Sequence, residues 1–306
     1  MFKNILAIRN DRFGEFLLNI PAMRALKEKY PQAKLSVAVD FAICELAGAV
    51  ECVHQALAWD EIKGNLRKYK FDLGVVLNPT KEAHWAVFWA GIPVRVGYDR
   101  KWGFLLTHKI KDTKHLGSRH EVDCNLELVS LVGAKTLDKT PKIKVDDSLF
   151  REFAGQEIVA VHPFTSDPLK QWPVERFGEL ARRIKRELGL KVVAVGLAQS
   201  ILDMGEGVDS LINKTSLREL AALLKRCSLL ISCDSGPMHL AAAVGTPVVA
   251  LFRNDLPGKI ARRWGPRGEG QVVIERSDLN DITVDEVFEK VKQKLLPRPP
   301  LAGSWQ

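Results

Sequence analysis

Short apolar runs alternate with stretches of helical period along most of the chain. Phe2 to Ile8 has the composition of a strand buried on both faces, and a polar turn through Gly14 follows it. A helical pattern then runs to Tyr30, where Pro31 stops it. Lys34 to Val39 and Asp72 to Leu77 predict further buried strands, with a polar helix at Asp60 to Tyr69 between them. His120 to Val132 predicts a helix ended by Gly133, and the polar stretch from Pro141 to Asp147 reads as a linker reaching about Glu157. The pattern then restarts. Strands are expected at Ile158 to His162, Lys191 to Val195, Leu229 to Cys233 and Pro247 to Phe252. Helices are expected at Val174 to Leu188 with Gly189 as its cap, Ser216 to Lys225, Met238 to Val244 and Asp285 to Leu296. Strands alternating with helices mean parallel sheets covered on both faces, so the chain reads as two α/β halves in tandem with a cleft between them. Ligands in such sheets sit at the carboxyl ends of strands, so the residues just after each strand carry the most information.

Composition narrows the class. The 306 residues exceed one domain of the usual size of about 100 to 200, which agrees with two halves. With 46% apolar and 27% charged residues, the chain is neither disordered nor collagen-like. The uncharged run His239 to Phe252 contains Gly245, Thr246 and Pro247 and falls short of a membrane span. Ile5 to Ile8 is closed at once by Arg9, Asp11 and Arg12, which argues against a signal peptide and for a cytoplasmic protein. Five widely spaced cysteines with no CxxC pair argue against a disulfide framework or a zinc knuckle, and in that compartment the sequon Asn213-Lys214-Thr215 is not expected to carry a glycan. The net charge of +8 is unevenly spread: Arg95 to Arg119 holds seven basic residues against two acidic ones. Such a patch attracts phosphate-bearing partners or serves as a solvated loop, and no nucleic-acid-binding motif accompanies it.

Three strand-to-helix turns carry candidate chemistry. In Arg9-Asn10-Asp11-Arg12-Phe13-Gly14-Glu15, Gly14 permits a tight turn and places Glu15 at the start of a helix. Glu15 there is either a general base or a complement to the helix dipole, with Asp11 as N-cap. In His162 to Pro173, the hydroxyls of Thr165 and Ser166 and the ammonium of Lys170 precede a helix, which makes an anion site or a capped loop with Trp172 as core anchor. In Asp234-Ser235-Gly236-Pro237-Met238-His239, Ser235 can cap the next helix, Pro237 suits its first turn and Gly236 lets backbone approach a ligand.

These residues, with Pro21 to Leu26, Thr215 to Leu224 and Gly245-Thr246-Pro247, give the chain a resemblance to bacterial glycosyltransferase family 9, the lipopolysaccharide heptosyltransferases, over roughly residues 2 to 252. The resemblance implies a GT-B architecture of two Rossmann-like domains facing a central cleft. Residues 1–153 would bind the acceptor, residues 154–296 the nucleotide sugar, with the last helix free to pack back on the first domain and 297–306 as a tail. It also implies metal-independent, inverting transfer of heptose from ADP-heptose, with no cofactor, to a lipopolysaccharide core or related anionic glycan acceptor. Peripheral contact with the cytoplasmic face of the inner membrane would bring enzyme and acceptor together. Glu15 stands where the family has its catalytic Asp, and Asp11 is the second choice. Donor phosphates would meet Thr165, Ser166, Lys170, Ser235, Gly236 and Pro237, with Asp234 and His239 nearby. The acceptor would meet Arg9, Arg12, Arg95, Arg100, Lys101, Arg119 and His120. One departure stands out: Gly196-Leu-Ala-Gln-Ser-Ile-Leu-Asp203 lacks the Glu that the family uses on the ribose. Glu15 and that missing Glu leave open a non-catalytic sugar-nucleotide-binding relative, and two α/β halves also suit an epimerase.

Overall fold

The structure, a computed structural model, describes residues 1–146, 148–150, 153, 155–198 and 204–295. The expected tail, Asp147 of the linker and residues 199–203 of the Glu-less turn lie outside them. Contacts divide the chain into two compact units, one of Met1–Val145 with Pro257–Arg267 and one of Asp146–Leu256 with the chain from Gly268. The sequence reading sets the boundary after residue 153 and keeps 257–267 in the second half. The difference has a physical cause, because side chains of 257–267 are bonded to groups on the first unit.

The first unit is built on a parallel sheet of β1 (Asn4–Ile8), β2 (Lys34–Val39), β3 (Gln55–Ala58), β4 (Leu73–Val76), β5 (Val94–Asp99) and β6 (His108–Lys111), in the order β3-β2-β1-β4-β5-β6. Its helices are α1 (Phe13–Leu17), α2 (Ile20–Lys29), α3 (Cys44–Gly48), α4 (Trp59–Ile62), α5 (Lys81–Trp89) and α6 (Glu121–Ser130). Strand order reverses between β1 and β4, where Ile8 pairs with both Ala38 and Val76, so the chain leaves β1 at the sheet's switch point.

The second sheet consists of β7 (Ile158–His162), β8 (Lys191–Ala194), β9 (Val208–Ser210), β10 (Leu229–Cys233), β11 (Val248–Arg253) and β12 (Val272–Arg276), in the order β12-β11-β10-β7-β8-β9. Around it lie α7 (Val174–Leu188), α8 (Leu217–Arg226), α9 (Gly236–Val244) and α11 (Val284–Leu295), while α10 (Ala261–Trp264) belongs to the first unit. Phe177, Leu180, Ala181 and Ile184 give α7 one buried stripe at helical spacing, and left-handed Gly189 ends it. Trp172 is the core anchor: fully buried, edge-on to Phe177, with Nε1 donating to the Ile282 carbonyl at 2.9 Å.

Two expectations change. The predicted helix Asp60 to Tyr69 is the short α4 and a separate 3-10 turn at Leu66–Tyr69, because Gly64 and Asn65 interrupt it. The pattern ending at Tyr30 is two helices, with Asn19 at the junction donating to the Glu15 carbonyl.

The first unit encloses a buried charge cluster. Glu121, at the start of α6, is 1% exposed. Lys114 Nζ donates to its Oε1 at 2.5 Å, Arg263 Nε and a terminal nitrogen donate to Oε2 at 3.3 and 3.1 Å, and the Arg9 guanidinium lies 3.8 Å away. Burial pushes this carboxyl up, but Lys114, Arg9 and Arg263 outweigh burial and hold it below the ordinary range. His120 caps α6 by accepting from Val122 N at Nδ1, so Nε2 carries the proton and donates to the Gly265 carbonyl at 2.9 Å. Arg267 pairs with Asp123 at 2.9 Å, completing the attachment of 257–267.

Removing the buried carboxylate that Arg9, Lys114 and Arg263 face leaves their charge uncompensated. Glu121→Ala is expected to cost about 3–5 kcal/mol in urea unfolding. Arg119→Ala, which breaks the solvent-exposed Arg119–Glu127 pair, should cost under about 1 kcal/mol. Equal small losses would show that the cluster does not support the fold.

Candidate active site

In the first unit the turn after β1 is tied from below. Arg9 donates from Nε to Asp11 Oδ1 at 2.7 Å and from a terminal nitrogen to the Leu77 carbonyl at 3.3 Å, and Asn78 donates to Asn10 Oδ1 at 3.2 Å. Asp11 is therefore an ion-pair partner and not the N-cap, which is Arg12 without a side-chain bond. Gly14 lies inside α1 and is not among the left-handed glycines, so its value is its small size in a buried position. Glu15 occupies the first turn of α1, half-buried. Burial pushes its carboxyl above the ordinary 4.5; Arg9 opposes this and Asp11 adds to it.

Five of the seven basic residues expected to meet an acceptor are bonded to groups within the first unit. Arg9 and His120 are buried in the bonds just described. Arg95 donates to the Leu105 and Ile92 carbonyls at 2.8 and 2.6 Å. Arg100 pairs with Asp112 at 3.2 Å and Arg119 with Glu127 at 2.5 Å. Arg12 and Lys101 are exposed and have no ion pair among the described residues.

In the second unit the sheet brings two of the sequence's turns together. β7 and β10 are neighbours, with His162 opposite Ser232, so their following residues meet. Lys170 Nζ forms an ion pair with Asp234 Oδ2, the two side chains 18% and 9% exposed. His162 Nδ1 lies 3.1 Å from Ser232 Oγ and 3.2 Å from Ser235 Oγ, and the two hydroxyls are 2.9 Å apart. Ser235 stands at the N-cap position of α9, yet its hydroxyl faces this histidine instead of capping. Pro237 is in the first turn as expected, and His239 is buried on the same helix. Thr165 gives its hydroxyl proton to the Asp167 carbonyl at 2.6 Å and its backbone N–H to Gln171 Oε1 at 3.0 Å, while Ser166 is exposed. Gln171 also donates to the Pro163 carbonyl at 2.8 Å, which makes it the brace of this loop.

Residues with little sequence signal complete the site. Gly196 has φ 128°, and a Cβ there would lie 2.7 Å from the His162 ring. Asn213 clamps the same turn: its Oδ1 accepts from Ala198 N and its Nδ2 donates to Ala198 O, both at 2.9 Å. The Asn of the apparent sequon thus has a structural task. Among the described residues, no group of three or more His, Cys, Asp or Glu is placed to hold a metal ion.

Two six-stranded parallel sheets with flanking helices define a pair of Rossmann-like domains, the GT-B fold. The profile of glycosyltransferase family 9 (heptosyltransferase) matches residues 59–291, and the chain belongs to that family. It is a glycosyltransferase. It is 25% identical over 292 residues to lipopolysaccharide heptosyltransferase 2 of Salmonella typhimurium, covering 83% of each chain. Among solved structures it resembles the E. coli ADP-heptose LPS heptosyltransferase II, with TM-score 0.82, 23% identity and coverage of 96% of this chain and 98% of that one. An E. coli heptosyltransferase solved with ADP matches with TM-score 0.79 and 19% identity, covering 95% and 99%.

Burial holds His162 down to about 4. A histidine that protonates near 6.5 when unfolded, but only near 4 when folded, supports the fold fully above pH 6.5 and loses that support as pH falls toward 4. The loss is about 3 kcal/mol over this window. Urea unfolding at pH 7 and pH 4.5 should show His162→Gln with a smaller pH difference than the native protein; an identical difference would remove His162 as its source.

Proposed function

We propose that this glycosyltransferase moves a heptose from an ADP-heptose-type donor to a lipopolysaccharide core or related envelope glycan, inverting the anomeric centre without a metal ion. The Lys170–Asp234 pair at the carboxyl ends of β7 and β10, beside the N-terminus of α9, carries the reading. A lysine parked on an aspartate next to a positive helix end is a ready anion site: a diphosphate takes the ammonium over. The names of the relatives support donor and acceptor, since one is an ADP-heptose LPS heptosyltransferase and another was solved with ADP.

In a single displacement the acceptor oxygen attacks the anomeric carbon from the face opposite the nucleotide. Its proton passes to Glu15, the bond from the anomeric carbon to the phosphate oxygen breaks, and ADP departs with that electron pair. Lys170 and the α9 N-terminus neutralise the charge appearing on the diphosphate. The raised pKa makes Glu15 a stronger base than an exposed carboxylate. Among the described residues no helix is long and apolar enough to cross a membrane. The proposed setting is the cytoplasm, where the enzyme meets its lipid-linked acceptor.

Glu15 and Lys170 should fail differently. Glu15→Gln is expected to lower kcat about 10² to 10⁴-fold with ADP affinity nearly intact, because the proton transfer develops only in the transition state. The kcat/KM of the native enzyme should fall on the acid side at a pH above 4.5, as Glu15 takes up its proton. Lys170→Ala should weaken ADP binding in calorimetry by about tenfold or more. Full activity in Glu15→Gln would pass the role to Asp11, and unchanged ADP binding in Lys170→Ala would move the nucleotide elsewhere.

A further inference from the structure

Between β4 and β5 the first unit carries an exposed aromatic surface on α5. On α5, Trp85, Phe88 and Trp89 occupy positions i, i+3 and i+4 and so share one face, 46%, 41% and 72% exposed. The opposite face, Ala83, Ala86 and Val87, is buried against the sheet. Trp85 stacks on Trp89 with centroids 5.4 Å apart and meets Trp102 edge-on at 5.7 Å. The turn Gly103–Leu105 packs against α5 and adds Phe104, 70% exposed. A continuous exposed aromatic surface of this kind marks an interaction site.

The charges on this surface identify the partner. Lys81 Nζ lies 5.8 Å from the Trp102 ring centroid and the Arg95 guanidinium 5.5 Å from that of Phe88, and exposed Lys101 directly precedes Trp102. The nearby acids are engaged elsewhere: Glu82 accepts from Lys63 at 2.8 Å and from Trp59 Nε1 at 3.0 Å, and Asp99 pairs with Lys109. Tryptophans set among lysine and arginine suit the headgroup level of a bilayer whose lipids are anionic. At nine residues α5 is too short to span, so it would lie in the plane of the surface. A second copy docked face to face by two-fold symmetry would bring two positively charged rims together, which disfavours self-association.

We propose that Trp85, Phe88, Trp89 and Phe104, rimmed by Lys81, Arg95 and Lys101, form a docking face for an anionic phospholipid surface. The proposal deepens the envelope-acceptor reading, but its test measures lipid binding alone, so it can stand or fall whether or not heptose is transferred. The full chain is floated with vesicles of phosphatidylglycerol and phosphatidylcholine and with vesicles of phosphatidylcholine only. The native protein should bind the anionic vesicles preferentially, with a blue-shifted tryptophan emission and a binding constant that falls as salt rises. Trp89→Ser/Phe104→Ser should lower the binding constant at least about tenfold. Its melting temperature should be unchanged, because both side chains are exposed. Lys81→Glu/Lys101→Glu should remove the preference for anionic lipid. Absence of binding to anionic vesicles, equal binding by the Trp89→Ser/Phe104→Ser variant, or equal binding to both vesicle types would overturn the proposal. So would a dimer in sedimentation that the aromatic substitutions abolish in a protein that ignores vesicles.

Discussion

The first unit depends on neutralising one buried carboxylate. Glu121 has almost no contact with solvent, and the groups that compensate it come from three separate stretches of chain: Arg9 after β1, Lys114 before α6, and Arg263 in α10. Coulomb attraction at such depth is strong, but it only repays desolvation when the geometry is nearly complete. The cluster therefore specifies an arrangement more than it adds stability. Arg9 also holds Asp11, so the turn that presents Glu15 is anchored to the same charge system.

The second unit reaches its site by other means. Its order comes from neutral hydrogen bonds: His162 with Ser232 and Ser235, the double clamp of Asn213 on Ala198, and Gln171 bridging the loop before α7. Beside this frame, at the ends of β7 and β10, Lys170 pairs with Asp234. A neutral hydrogen-bonded frame holds that ion pair in place beside the N-terminus of α9.

Much of this was legible in the residues. The alternation of buried runs with helical stretches located β1, β2, β4, β7, β8, β10 and β11, because strands buried on both faces are apolar throughout. The edge strands were not legible: β6 is His-Lys-Ile-Lys and β9 is Val-Asp-Ser, too short and too polar to show a pattern. Helix α5 was missed for the reverse reason, since apolar residues on both its faces, aromatic on one and aliphatic on the other, erase the helical period. Lys170 and Asp234 were each picked out by their place after a strand, and only the adjacency of β7 and β10 shows that they pair. Arg9, Arg95 and His120 read as ligands for an acceptor because charge in a sequence does not reveal whether a carbonyl or carboxylate of the same fold already holds it. Glu121 carries no signal of its own in the sequence, and its partner Arg263 is 142 positions away.

That separation bears on how the protein is made. On the ribosome the first 145 residues emerge with Glu121, Asp123 and His120, but Arg263, Arg267 and the carbonyl of Gly265 are still to be translated. Synthesis therefore passes through Asp146–Leu256 of the second unit before the first can be closed. Folding domain by domain as the chain emerges meets an interruption here. The nascent first unit must wait, with a partly compensated carboxylate in its interior, for a strap encoded more than a hundred codons downstream.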